Sequence, residues 1–198
     1  MTDFPVYLGL GFDHITDPGG YDHILFVIAL CAVYTLRDWR SVLVLVTAFT
    51  LGHSITLALA TLRIVTFPSD VIELLIPITI LITAVVNFFY REPTGRGATP
   101  GRRWGRYALA GAFGLIHGLG FSNYLRSLLG READILGPLL AFNVGLEVGQ
   151  LLIVALVLGV AQVVLGTFRL PRRDWVLIVS GIVAGLAISL ILANPLVA

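Results

Sequence analysis

Apolar residues fall along this chain in long, nearly unbroken blocks instead of alternating with polar ones. Crossing a bilayer takes about 20 mostly apolar residues, and six blocks approach that length: 21–36, 41–62, 71–90, 107–125, 135–160 and 175–193. The first is short. The fifth stays apolar to about residue 168, which predicts tilt or an interfacial tail. Segment 4–15 is mixed and predicts no span. Asp17-Pro18-Gly19-Gly20 then breaks the chain, with Asp17 or a neighbour placed to cap the next helix. Pro77 predicts a kink in the third span near Glu73. Connections are short except 91–106, whose Gly, Pro and Arg content predicts a flexible cytoplasmic loop between two sets of three helices. The pattern predicts a single all-α domain over residues 1–198, a polytopic membrane protein of about six transmembrane helices.

Composition strengthens that picture. Hydrophobic residues make up 57% of the 198, charged residues 13%, and the mean hydropathy is +0.92. A soluble domain carries roughly 25% charge, so this chain lacks the polar surface water requires. All 13 basic residues are arginine, with no basic run interleaved with aromatics, so no nucleic-acid partner is expected. One cysteine, Cys31, excludes an internal disulfide and a Cys-based zinc finger, and reads as a small buried hydrophobe. Asp3 and the late first apolar run argue against a signal peptide.

Arginine placement predicts orientation. The connections after the first, third and fifth spans hold Arg37, Arg40, Arg91, Arg96, Arg102, Arg103, Arg106, Arg169, Arg172 and Arg173, ten of the 13; Arg63, Arg126 and Arg131 lie on the other side. Positive connections stay in the cytoplasm. Both termini are therefore expected outside the cytoplasm, in a multi-pass protein of the inner (plasma) membrane. The bilayer is the expected partner, and a homo-oligomer is left open.

Mapped onto that topology, the ionisable residues are one-sided. Asp13-His14 and Asp22-His23 flank the outer entrance of the first span. His53 falls in the outer half of the second, His117 near the middle of the fourth, and Glu73 at the outer start of the third. Asn143, Glu147 and Gln150 share one face of the fifth. The inner half offers Asn87, Gln162 and hydroxyls, but no ionisable pair. An ionisable group in hydrocarbon is expensive, about 2.5–3.5 kcal/mol even on the lenient insertion scale, so such groups face the bundle interior and have a task.

Imidazole nitrogen and carboxylate oxygen suit nickel, cobalt, zinc, manganese or ferrous iron. Copper(I) would want sulfur ligands, and the only methionine is Met1. Each neighbouring aspartate can ligate directly or fix an imidazole tautomer from the outer shell. Plain structural roles compete with each of these readings: helix capping for His14 and His23, an interhelical hydrogen bond for His53, a protonated hydrogen-bonded acid for Glu147, solvation for Glu73. Glycines around His117 repeat at four with Ala110, the stripe that lets membrane helices pack closely. Gly145 and Gly149 read the same way. No phosphate loop, nucleophile elbow or Cys-His pair is present.

Five strings resemble the HupE/UreJ family, in particular its second, shorter branch. They are Gly11-Phe12-Asp13-His14-Ile15; Tyr21-Asp22-His23-Ile24-Leu25-Phe26; Thr47-Ala48-Phe49-Thr50-Leu51-Gly52-His53-Ser54; His117-Gly118-Leu119-Gly120-Phe121; and Phe142-Asn143-Val144-Gly145-Leu146-Glu147-Val148-Gly149-Gln150. The resemblance implies a membrane protein of hydrogenase and urease maturation, a nickel or cobalt permease. Its His and Asp-His motif carries over to His14, Asp22 and His23, its next histidines to His53 and His117, and its acidic position to Glu147. Seven residues separate His14 from Asp22, more than in the better-known members.

Two functions fit these residues. In a transporter, His14, Asp22 and His23 capture a divalent cation, with Asp13 nearby, and His53, His117 and Glu147 take it deeper. Ser54, Asn143, Gln150 and Glu73 are the supporting polar groups. In an intramembrane metalloenzyme, the histidines hold zinc and leave a place for water, with Glu147 or Glu73 as general acid or base. A third reading is an assembly or sensor subunit whose polar cluster only glues helices.

Overall fold

A computed structural model describes residues 4–90, 100–129 and 135–197. Every described regular element is helical: α1 (Phe4–Thr16), α2 (Asp22–Cys31), α3 (Trp39–Thr61), α4 (Ser69–Phe88), α5 (Pro100–Gly120), α6 (Ser122–Leu129), α7 (Leu136–Gly166) and α8 (Arg172–Leu192), with short 3-10 turns at Pro18–Gly20 and Leu36–Asp38. Four helical stretches are long and apolar enough to cross a membrane: Leu36–Thr61, Ser69–Phe88, Leu136–Gly166 and Arg172–Leu192. Large apolar side chains on α7 and α8 face outward, among them Leu140, Leu156, Ile182 and Leu192, each about 60% exposed. Thr50, His53, His117 and Gln150 are buried instead. This apolar-outside, polar-inside distribution is what a lipid solvent selects.

Three expectations change. The first span is not one helix: α2 has ten residues, about 15 Å at 1.5 Å per residue, half of the hydrocarbon thickness. Its partner α1 forms from the mixed segment, because Tyr7, Gly11 and Ile15 share one buried face. Between the two helices Asp17 caps the 3-10 turn, accepting from the Gly19 N–H at 2.8 Å. The fourth block starts earlier than its apolar run and stops at Gly120, where the chain turns into α6. Residues 100–106 of the expected loop are helical, and 91–99 lie outside the described residues.

Two glycine-built crossings set the frame. On α1, a Cβ at Gly11 would overlap the Phe142 carbonyl; on α7, Gly145 meets the Leu8 carbonyl and Gly149 the Ile15 side chain. The register rises together on both helices, so α1 and α7 run parallel. Likewise Gly52 of α3 abuts Gly111 of α5, Gly114 abuts the Phe49 carbonyl, and Gly118 the His53 carbonyl. Helices without a hydrophobic driving force pack where small residues let backbones touch. One hydrophobic cluster gathers around α1 and α7 (Ile15, Phe142, Leu146), another around α3, α4, α5 and α8 (Phe49, Ile76, Ile80, Ala184). Helix α2 contributes to both, with Val27 and Cys31 in the first and Leu25 and Phe26 in the second. His23, at its head, therefore stands at their seam.

Candidate metal centre

Four helices bring one histidine each to that seam. Ring centroids lie 4.7 Å apart for His14–His23, 6.2 Å for His14–His53, 6.3 Å for His23–His53 and 5.1 Å for His23–His117. One ring nitrogen from each of His14, His23 and His53 lies within 4.8 Å of the other two. Bonds of 2.0–2.1 Å to a tetrahedral ion put ligand nitrogens about 3.4 Å apart. An ion would thus draw the rings in by an ångström or so, within side-chain reach.

Their hydrogen bonds leave lone pairs free. The Asp22 carboxylate accepts from His23 Nδ1 at 3.0 Å, which fixes the proton there and leaves Nε2 as a bare acceptor without a partner. At His117, Thr79 Oγ1 donates its one proton to the Ile76 carbonyl at 2.7 Å. It therefore accepts from His117 Nε2 at 3.0 Å, and His117 Nδ1 is left unprotonated and without a partner. His14 Nε2 also lacks a partner, and fully buried His53 makes no well-formed hydrogen bond, with Asn143 its nearest polar neighbour in reach. Each unsatisfied buried polar atom costs about 1–3 kcal/mol. The bare His23 Nε2 and His117 Nδ1 are lone pairs that a cation can meet.

Aromatic rings wall the cluster. Phe121 packs on His14 at 4.0 Å and stacks on Phe142 at 4.9 Å; Phe26 and Phe49 close the His117 side at 5.0 and 5.2 Å. Two open clefts reach it from the same end. One, of about 540 Å³, is lined by Asp13, His14, Asp17, Phe121 and Tyr124; the other, of about 550 Å³, by Tyr21, Asp22, Glu73, Pro77 and Asn194.

Most of the remaining candidates are held by partners other than the three rings. Glu147, half-buried, accepts from Thr47 Oγ1 at 2.8 Å, and Gln150 accepts from Thr50 Oγ1 at 2.8 Å, so both tie α7 to α3. Asn143 donates to the Leu139 carbonyl at 2.8 Å and reaches toward His53. Ser54 returns its proton to the Thr50 carbonyl at 2.6 Å. Asp13 and Glu73 are exposed walls of the clefts. Sequence reasoning overlooked Thr79 and gave Thr47 and Thr50 no role beyond their place in a family string, because a threonine in an apolar helix carries no periodic signal.

The family model described as "HupE / UreJ protein" matches residues 1–194. The chain belongs to the HupE/UreJ family. No curated protein and no solved structure matches it. As a HupE/UreJ protein it is a multi-pass membrane protein of a family associated with nickel and cobalt transport, and its histidine group can hold a metal.

Proposed function

We propose that this protein carries a divalent transition metal, of nickel or cobalt type, across the inner membrane. Its binding site opens on the side away from the cytoplasm. One observation carries the reading: three ring nitrogens on three helices, without hydrogen-bond partners, face one another at the foot of two open clefts. His14, His23 and His53 are the first ligands; Asp22 sets the His23 tautomer; His117, 5.1 Å from His23, takes the ion next. The all-nitrogen set without thiolate selects borderline cations over copper(I). Asp13 and Glu73 raise the local cation concentration in the clefts. Arginines 37, 40, 106, 169, 172 and 173, grouped in the connections of the other end, support a cytoplasmic placement for it.

Metal analysis of protein purified without added metal tests the site. About one ion per chain is expected, lost in His14→Ala and His53→Ala. Proteoliposomes should then move nickel or cobalt down a gradient; bound metal with no flux would overturn transport. A second reading rests on the same geometry, since three histidines leave a coordination position open toward clefts large enough for a substrate. In it His14, His23 and His53 would hold zinc, which would supply an activated water, with Glu73 as the acid or base. Zinc held with Kd far below micromolar, together with hydrolysis of a lipid amide or peptide, would select it.

A further inference from the structure

We infer that Asn143 is a positioning residue for His53: its amide oxygen takes the one proton of the neutral ring and so decides which ring nitrogen is left to meet the ion. The inference rests on the metal-site reading and deepens it. Two of the histidines already have their proton placed, that of His23 by the Asp22 carboxylate and that of His117 by Thr79 Oγ1. His53 differs. Among the described residues no carboxylate or hydroxyl bonds its ring, and its close neighbours are themselves rings: His14 at 6.2 Å, His23 at 6.3 Å, Phe49 at 6.2 Å and Phe142 at 6.4 Å. A neutral imidazole has one N–H to give and one lone pair to offer. Fully buried, this ring can turn neither of them to water.

Asn143 supplies the missing acceptor. It follows Phe142, whose ring stacks on His53 at an interplanar angle of 17°, and its side chain is the polar group within reach of the imidazole. Its amide has one sensible orientation. Nδ2 donates to the Leu139 carbonyl at 2.8 Å; turned over, the amide would set its oxygen against that carbonyl, two acceptors with no proton between them. Oδ1 is therefore the atom left for His53. Among the described residues it is also the one fully buried amide oxygen without a partner, whereas Gln150 accepts from Thr50 and Asn87 donates to the Ala29 carbonyl. A donor and an acceptor that are each expensive to leave unmet thus lie side by side. A small turn of the His53 ring joins them and leaves its other nitrogen bare. The kind of holder matters as well. Asp22 brings a charge behind His23, while Asn143 orients His53 and brings none. A divalent ion among neutral imidazoles with one carboxylate behind them keeps a net positive charge, and a second carboxylate would cancel it and hold the ion harder.

Ring-nitrogen NMR tests the contact without metal or flux. In metal-free protein labelled with 15N-histidine, the His53 signals are identified by their loss in His53→Leu. One protonated and one bare nitrogen are expected, a single tautomer, and in Asn143→Leu the proton should spread over both nitrogens. The same single tautomer in both proteins overturns the inference. Cobalt(II) titration by calorimetry gives the second readout. Asn143→Leu should bind about 10–100-fold more weakly, the usual effect of losing a partner behind a ligand, with Asn143→Ala in its place if that variant fails to fold. Asn143→Asp returns an acceptor oxygen to the same position and should bind at least as tightly as the unmodified protein. Parental affinity in Asn143→Leu, or an Asn143→Asp as weak as Asn143→Leu, overturns the positioning role. Unmodified protein that binds no cobalt overturns the metal-site reading instead, whereas the His53 tautomer still judges Asn143.

Discussion

The two ends of this bundle treat polar groups in opposite ways. At the histidine end, ring nitrogens of His14, His23, His53 and His117 are buried without partners. At the arginine end, Arg172 meets a carbonyl, a carboxylate and a ring, and Arg106 a hydroxyl and two rings. Both sets sit in surroundings where an unmet polar atom is expensive. The two arginines already have partners, whereas the bare His23 Nε2 and His117 Nδ1 are lone pairs that a cation can meet. The difference is what the proposed metal site at the histidine end rests on.

The sharpest way to break the comparison is to delete polar groups at each end. His23→Ala should weaken metal binding by more than about 100-fold, since outer-shell changes alone bring 10–100-fold losses; titration calorimetry reads it. His53→Leu should also abolish binding, yet leave the metal-free protein as stable or more stable, by about 1–3 kcal/mol, because a fully buried ring without a well-formed hydrogen bond disappears. Arg172→Ala should do the reverse, destabilising by about 1.5–3 kcal/mol through its charged hydrogen bonds and leaving metal affinity alone. A destabilised His53→Leu beside a neutral Arg172→Ala in detergent melts would invert the argument.

Smaller effects refine it. Asp22→Asn keeps shape but no longer holds the His23 Nδ1 proton as a charged acceptor, and should lower metal affinity about tenfold or more without changing stoichiometry. An affinity drop of the His23→Ala size would make Asp22 a ligand itself. Least of all, Arg63 closes α3 in the left-handed region at φ 60°, with the Ile64 N–H returning to the Leu59 carbonyl at 2.9 Å. Arg63→Gly removes that strain and should raise stability by about 1 kcal/mol with metal binding untouched.

Much of this was legible in the residues and some was not. The apolar blocks marked α3, α4, α7 and α8, because a stretch long enough to span lipid has few other ways to satisfy its backbone. The first block misled, since hydropathy counts apolar residues and does not register the turn after Cys31 that ends α2 at ten residues. Glycines 114, 118, 145 and 149 were readable as packing positions, but not their partners. Glu147 stood out for its charge, and a threonine on another helix decides its contact.

Composition and spacing alone determined that the chain lives in a membrane, that it is helical, and that its histidines lie toward one side. Those properties follow from local chemistry, namely backbone hydrogen bonding in lipid and the transfer energy of each side chain. Which histidines come together, and which nitrogen of His23 and of His117 is bare, was decided by tertiary structure. Those facts depend on backbone contact at Gly11, Gly118 and Gly145 and on protons held by Asp22 and Thr79, most of them distant in sequence from the rings they position.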